Sequence, residues 1–459
     1  MNVYKQHINK LLKIGVPIMI GQAGAIILSF ADNIMVGRYG IQELAASAFA
    51  NNIINLFIFI SIGFSCGLTP IIGELFGKKD QKSIGQAVKN SLYINLLLAV
   101  LLLLVMGIIY FQIDRFGQPE ELLPLIRPYF ITVAISTLFV MMFNTLKQFT
   151  DGICQPKVST IILITGNLLN IIGNYGLIYG KLGCPELGLF GAGLSTLISR
   201  VLMVIIFYAY LRHASKFKVY VEAFKTSKLN PDCQKKLFHI GYPLAAQMGM
   251  ESAAFALSAV MVGWLGTTAL AGHQVTMTIS QICFMLYTGM GSAITILVSN
   301  AHGQGDRINV RRLAYTGYGL IFGLSIVTCG LIYLFESPII HLFTSSEEVA
   351  DLVTMLLIPM GIFQLGDGIQ IAFSNSLRGI QDVKPIMWIA LFSYFVVSLP
   401  ASYFFGFYLH WGVSGIWYGF PLGLTTAGIF FYIRFKRQIA TENESCETES
   451  VTLQKTIHV

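Results

Sequence analysis

The chain has 459 residues, 54% of them hydrophobic and only 12% charged, with a formal net charge of +7 and a mean hydropathy of +0.67. A soluble domain carries roughly 25% charged residues, so the composition excludes a soluble globular enzyme. The apolar runs exceed the roughly 20 residues that a spanning helix needs, which makes this an integral membrane protein of many helices.

In chain order, apolar runs predict spans near 12–36, 50–76, 88–111, 125–147, 158–180 and 187–211, then near 237–263, 274–300, 312–335, 349–377, 384–408 and 412–433. The first run, LLKIGVPIMIGQAGAIILSFADNIMVG, is longer than the apolar core of a signal peptide and has no cleavage site after it, so it is read as helix one. The fold class expected is an all-α membrane protein of about twelve helices.

Orientation follows from the cations. With both termini inside, every Lys and Arg except Arg38, Arg115, Arg127 and Lys181 on the outer side and Arg200 within a span falls on the inner side. The positive-inside rule then places both termini in the cytoplasm of a multi-pass protein. The same bias explains the basic net charge, so anionic lipid headgroups are the expected partners and nucleic acid is not.

The two halves repeat. GVPIMIGQAG, NIMVGRYGIQELAA and LFGKKD in the first half return as GYPLAAQMGM, AVMVGWLGTTALAG and NAHGQGD in the second, with Pro17 and Pro243, Gly37 and Gly263, and Asp80 and Asp306 each 226 residues apart. Later, TDGICQPK parallels LRGIQDVKP, and Gly188 and Gly191 match Gly412 and Gly415. An even number of helices per repeat makes the halves parallel, related by a pseudo-two-fold along the membrane normal. The expected organisation is an N-terminal six-helix lobe over 1–211, a basic cytoplasmic connector over 212–236, a C-terminal six-helix lobe over 237–435 and a polar, acidic tail over 436–459 that is solvated and disordered. Such lobes enclose a site and expose it alternately to each side.

Polar residues at helical spacing mark the faces that line such a site. In the tenth span Gln364, Asp367, Gln370, Ser374 and Arg378 form one stripe. The seventh carries Gln247, Glu251 and Ser258, and the eighth Gln274, Thr278, Gln281, Thr288, Ser292 and Thr295. The first lobe has Gln22, Ser29, Asp32 and Asn33 on span one and Asn167, Asn170 and Asn174 on span five. Neutral polar residues in membrane helices commonly serve as interhelical glue. Carboxylates at membrane depth are costly and mark function, which singles out Glu251 and Asp367, and also Asp32 unless it simply sits at the outer end of its helix.

Other chemistry is thin. Seven cysteines are scattered without a C-x-x-C pair, which indicates neither a disulfide framework nor a thiolate metal site. No H-E-x-x-H pair, phosphate-binding glycine loop or nucleophile elbow is present, so no enzyme activity and no cofactor are expected, and transport energy comes from an ion gradient. His273 and His302 are read as structural. Asp382, in the loop near Lys384, is expected to tolerate replacement by Asn.

The proline early in helix one, ADNIMVGRYG with its repeat-mate AVMVGWLG, PELGLFGAG, Glu251 in helix seven and DGIQIAFSNSLRGIQDVKP in helix ten together resemble the multidrug and toxic compound extrusion (MATE) transporters. The resemblance runs from about residue 10 to 435 and is nearest to the bacterial NorM-like branch. It implies twelve helices in a V of two lobes, a bacterial inner-membrane location, and efflux of organic cations driven by Na⁺ or H⁺. It further implies that Glu251 and Asp367 couple the ion in the second lobe, holding Na⁺ if sodium is used, with Asp32 as the first-lobe carboxylate. A related branch has an Asn followed four residues later by Asp-Pro in helix five, where this chain reads NIIGNYGLIYG, so a first-lobe proton network of that type is not implied.

Chemistry fits these expectations. Two acids in low dielectric hold Na⁺ through hard oxygen ligands, or carry a shared proton, and either ion competes with a cationic compound for the same charge. Phe284, Tyr287 and Phe363, with Phe255 and Phe373, can supply apolar and cation–π walls. The expected protein is a monomer embedded in the bilayer. The rival reading, a flippase for a lipid-linked saccharide, requires interior cations to bind pyrophosphate, and only Arg200 and the cytoplasmic-end Arg378 qualify.

Overall fold

The computed structural model describes residues 2–116, 119–344 and 346–457, with side chains described between residues 3 and 440. Among the described residues there is no strand, and twelve helices are long and apolar enough to cross a membrane. In the first half these are α1 (Asn2–Tyr39), α2 (Ile41–Ser65) continued by α3 (Leu68–Gly77), α4 (Gln81–Gln112), α5 (Leu123–Gly152), α6 (Pro156–Tyr179) and α7 (Gly188–His213). The connector carries a short helix, α8 (Lys218–Thr226). The second half follows with α9 (Pro231–Gly263), α10 (Thr267–Gly303), α11 (Arg307–Leu334), the short α12 (Glu336–Phe343) and α13 (Glu347–Gly379). It ends with α14 (Lys384–Leu391) and α15 (Leu399–Tyr403), which make up one interrupted span, and α16 (Gly412–Ile457).

Helices overrun the apolar runs because capping groups, not hydropathy, end them. Helix α9 starts at Pro231 rather than near 237: the Asn230 side chain accepts from the Asp232 and Cys233 backbone N–H groups at 2.8 and 3.4 Å, and Pro231 suits the first helical position. The eleventh span is less regular than expected, with π-helical turns at Phe392–Ser398 and Phe404–Tyr408 around Pro400, whose ring removes a backbone donor. It still packs closely on α16, where Gly415, Gly419 and Gly423 leave room, and Ser398 and Ser402 donate to the Gly419 and Ile416 carbonyls at 3.1 and 3.0 Å. The backbone of α16 stays helical through the acidic stretch where a disordered end was expected, and residues 436–457 contain no Pro or Gly.

The repeat is written into the backbone. Asp80 and Asp306 cap α4 and α11 with identical geometry, φ −88° and ψ 81°, each accepting from the N–H three residues on at 3.0 Å. Left-handed residues recur in the matched motifs: Lys79 with Gly305, Cys154 with Gln381, and Gly188 with Gly412.

By packing, the chain forms two compact units, Lys13–Ser252 and the described residues of Met1–Leu12 with Ala253–Val459. The connector and the start of α9 thus pack with the first unit. Gly67 of the α2–α3 break lies so near α9 that an added Cβ would stand 3.0 Å from the Gly241 backbone. Lys236 pairs with Glu74 at 3.1 Å, the Asn230 backbone donates to Asn90 at 2.9 Å, and Lys89 donates to the Ser227 carbonyl at 2.6 Å. In the second unit the opening turns of α1 pack near the start of α11, where His7 meets the Asn309 side chain at 3.1 Å.

Candidate ion and substrate sites

In the first unit a polar interior is assembled from five spanning helices. Asp32 on α1 accepts a 2.6 Å hydrogen bond from Asn174 Nδ2 on α6. One turn earlier on α6, the Asn170 amide, oriented with its nitrogen toward the acid, donates to Asp32 at 2.9 Å, and its oxygen accepts from Thr196 on α7 at 3.2 Å. Ser195 donates to the Asn170 backbone carbonyl at 2.9 Å. Arg200, the next turn of α7, donates to Ser136 of α5 at 2.5 Å and stands within Coulombic reach of Asp32 and of Tyr129. Tyr129 in turn donates to Asn51 on α2 at 3.1 Å.

Asn170 and Asn174 are 2% and 1% exposed, while Asp32 and Arg200 are half-buried. The structure therefore brings together three of the four first-half candidates. Asn33 is exposed on another face of α1. Hydrogen bonds from neutral amides stabilise the carboxylate at depth, and the surrounding oxygens are of the hard type that an alkali cation accepts.

In the second unit Asp367 is 1% exposed on α13, in line with Gln364, Gln370 and Ser374, at 0%, 3% and 2%. Flanking glycines let neighbouring helices come close: a Cβ at Gly366 would meet Thr425 of α16 at 2.8 Å, and one at Gly368 would meet Ser325 of α11 at 3.1 Å. The stripe is tied to its surroundings by Gln364 donating to Ser280 of α10 at 3.0 Å and Gln370 donating to the Tyr394 hydroxyl at 2.8 Å. Tyr287 is fully buried and its hydroxyl bonds Thr328 at 2.6 Å.

Phe363 is 4% exposed within a ring cluster with Phe255, Trp417 and Phe420, at centroid distances of 6.2, 6.2 and 6.1 Å. Phe284 is half-buried and Gln281 exposed. Gln247 is buried and Glu251 half-buried; both lie on the part of α9 that packs with the first unit, which ends at Ser252. Among the described residues no group of three or more His, Cys, Asp and Glu stands together as a metal site.

Sequence reasoning missed several polar partners. Arg200, Ser136, Tyr129 and Asn51 complete the first-unit network, and an Arg inside an apolar run was the available signal. Lys147, counted with the cytoplasmic cations, belongs to α5, where it donates to Asp151 at 2.8 Å while Ser159 donates to the other carboxylate oxygen at 2.8 Å. Asp382 is not a bystander either: Arg434 of α16 donates to it through Nε and Nη2 at 2.6 and 3.2 Å.

The family model for MatE matches residues 17–176 and 243–404. The chain belongs to the MatE family. Both matched segments of this MATE protein begin at the paired prolines, Pro17 and Pro243. It is 31% identical to the multidrug resistance protein NorM of Vibrio cholerae, covering 94% of this chain and 95% of that one, and 32% identical to the probable multidrug resistance protein NorM of Pasteurella multocida, covering 95% of each. Among solved structures, an outward-facing multidrug resistance MATE family transporter of the MOP superfamily matches with a TM-score of 0.86 over 95% of this chain and 96% of that one, at 21% identity. A Vibrio cholerae MATE transporter matches with 0.86 over 96% and 99%, at 18% identity. The MATE fold is thereby established over 95% of the chain, and the family is one of membrane transporters.

Proposed function

We propose that this MATE protein is a secondary antiporter that exports cationic, amphipathic compounds across a bacterial inner membrane in exchange for Na⁺ or H⁺, by alternating access. Asp367 carries the reading: a carboxylate 1% exposed in the middle of a spanning helix is too costly to keep for packing alone. Glu251 and Asp367 act as the coupling acids of the second half and Asp32 as that of the first. An arriving ion satisfies the negative charge and releases the organic cation; loss of the ion on the other side restores the charge. Names of the NorM relatives support a multidrug substrate range. Both termini are placed in the cytoplasm, and the transporter acts as a monomer without a cofactor.

The flippase alternative has little support, since among the described residues the guanidinium deep within a span is that of Arg200, and it is taken up by Ser136. Purified protein in proteoliposomes, loaded with ethidium and subjected separately to Na⁺ and H⁺ gradients, tests the proposal. One of the two gradients is expected to drive efflux; absence of efflux under both overturns it.

A further inference from the structure

The two halves differ in what lies over one matched groove. In the first, α8 follows α7 and packs on α4 and α5: a Cβ at Gly85 would stand 2.5 Å from the Ala223 Cβ, and the Phe149 ring of α5 meets those of Phe217 and Tyr220 in the connector at centroid distances of 6.2 and 5.6 Å. Under the repeat Gly85 corresponds to Arg311. In the second half the backbone of α16 runs on as one helix instead of giving way to a short one. Phe373 of α13 is covered there by half-buried tyrosines, Tyr315 and Tyr318 of α11 at 6.1 and 5.5 Å and Tyr432 of α16 at 5.0 Å. Tyr315 and Tyr432 meet across the groove at 6.4 Å. Each has a cation one turn nearer the end of its span: Arg311 stands over the Tyr315 ring at 5.7 Å, Lys436 follows Tyr432 by four residues, and both cations are exposed.

The helices that carry these cations bring no acid to answer them. Neither Arg307–Leu334 nor residues 412–440 contain an Asp or Glu, and at this end of the unit Asp306 is engaged by Asn309 and Asp382 by Arg434. Alongside the rings the two helices turn apolar side chains outward, Phe322 on α11 and Ile429 and Ile433 on α16, at 40%, 44% and 37% exposure. Cations at the rim of an apolar run, with tyrosines at the level of the headgroups, are the chemistry that holds an anionic lipid between spanning helices. We propose that the groove between α11 and α16 binds an anionic phospholipid, with Arg311 and Lys436 taking the phosphodiester and Phe322, Ile429 and Ile433 lying along the acyl chains. Lipid then fills on the second half the place that α8 fills on the first. A free anion gains the two cations but leaves the apolar side chains unused, so the arrangement selects a lipid. The site stands apart from the antiport reading and needs neither coupling acid.

Native mass spectrometry of delipidated full-length protein in detergent, titrated with phosphatidylglycerol and with phosphatidylethanolamine of the same acyl chains, tests it. Wild type is expected to bind its first phosphatidylglycerol at least about tenfold more tightly than phosphatidylethanolamine. A cation beside an anionic headgroup is worth about fivefold in affinity, so Arg311→Gln and Lys436→Gln each weaken that first lipid by about this factor and the double variant by about twentyfold, with phosphatidylethanolamine unchanged. Lys225→Gln with Lys228→Gln, the same change of charge on the connector, is expected to leave it in place, as is inorganic phosphate at a concentration equal to that of the lipid. Conversion of Glu442, Glu444, Glu447 and Glu449 to Gln in the full chain is expected to leave the affinity unchanged. Both groove cations are exposed, so the variants are expected to fold, which melting in detergent checks; if the double variant does not, the two single variants decide. The proposal is overturned if folded Arg311→Gln and Lys436→Gln bind phosphatidylglycerol like wild type, if the connector variant loses as much, if phosphatidylethanolamine binds equally well, or if inorganic phosphate displaces the lipid. It is also overturned if neutralising the four glutamates raises the affinity, which would give the groove to the chain's own acidic segment.

Discussion

Asn174 holds Asp32 through a 2.6 Å hydrogen bond that joins α6 to α1. A donor to an ionised group contributes about 1.5–3 kcal/mol, and here it also fixes the direction of the carboxylate. Asn174→Leu, similar in size, is expected to lower stability by that order and to cut ion-driven efflux at least about tenfold, because a misdirected acid couples poorly. Thermal unfolding in detergent reads the first effect and proteoliposome efflux at matched protein level the second. Full efflux by a destabilised Asn174→Leu would make the contact structural only.

The second prediction concerns the two acids of the second half. Asp367→Asn and Glu251→Gln preserve size and most hydrogen bonding, so both variants are expected to fold and to lose ion-driven release. The double variant, compared with each single one, reads whether the two carboxylates act as a unit. Ethidium efflux and ²²Na⁺ or pH-coupled flux, compared at equal protein level, provide the readout. Normal coupled efflux by Asp367→Asn would remove that carboxylate from the mechanism.

The depth of Asp367 was legible in the sequence because one carboxylate in a long apolar run has few physical explanations, and the stripe through Gln364 and Gln370 set its face. The duplicated caps at Asp80 and Asp306 were legible as a spacing of 226. The attachment of the start of α9 to the first unit was not. It depends on the approach of Gly67 to Gly241 and on the Lys236–Glu74 pair, contacts between distant stretches that no helical period encodes. The Asp32 network was half visible: Asn170 and Asn174 share a helical face, but the links to Thr196, Ser136 and Arg200 join separate helices.

Asp382 shows the same limit. Its neighbour in sequence is Lys384, yet its partner is Arg434, 52 residues away, in a two-point contact. The acid side chain is 15% exposed and the arginine 41%, so solvent screens the pair and about 1 kcal/mol is a reasonable contribution. Asp382→Asn is therefore expected to lower the unfolding temperature measurably, with efflux per folded molecule retained. Arg434→Gln should do the same, and the double variant should cost little more than one, which a double-mutant cycle on melting temperatures measures. Additive losses would show that the two side chains do not depend on each other.

The last prediction uses pH at the turn before α4, between two spanning segments. Hydrogen bonds from the Ser83 side chain, and then from its backbone N–H, hold the Asp80 carboxyl below its ordinary value of 3.8. A carboxyl depressed in the folded state contributes stability that is fully present above its unfolded value and is lost as pH falls through the folded one. The contribution is thus constant at neutral pH and declines only below about pH 4. Asp80→Asn keeps a side-chain oxygen for the Ser83 N–H, and Asn caps helices about as well as Asp, but it has no proton to take up. At pH 7 the variant is expected to unfold slightly more easily than wild type, and the difference should shrink as pH is lowered from about 4 toward 3. Asp80→Ala loses the cap itself, at about 0.5–2 kcal/mol, and remains less stable throughout that range. Detergent melting curves of the three proteins between pH 3 and 7 decide the matter: a gap between wild type and Asp80→Asn that widens in acid would mean that the capping bond is not what depresses the carboxyl.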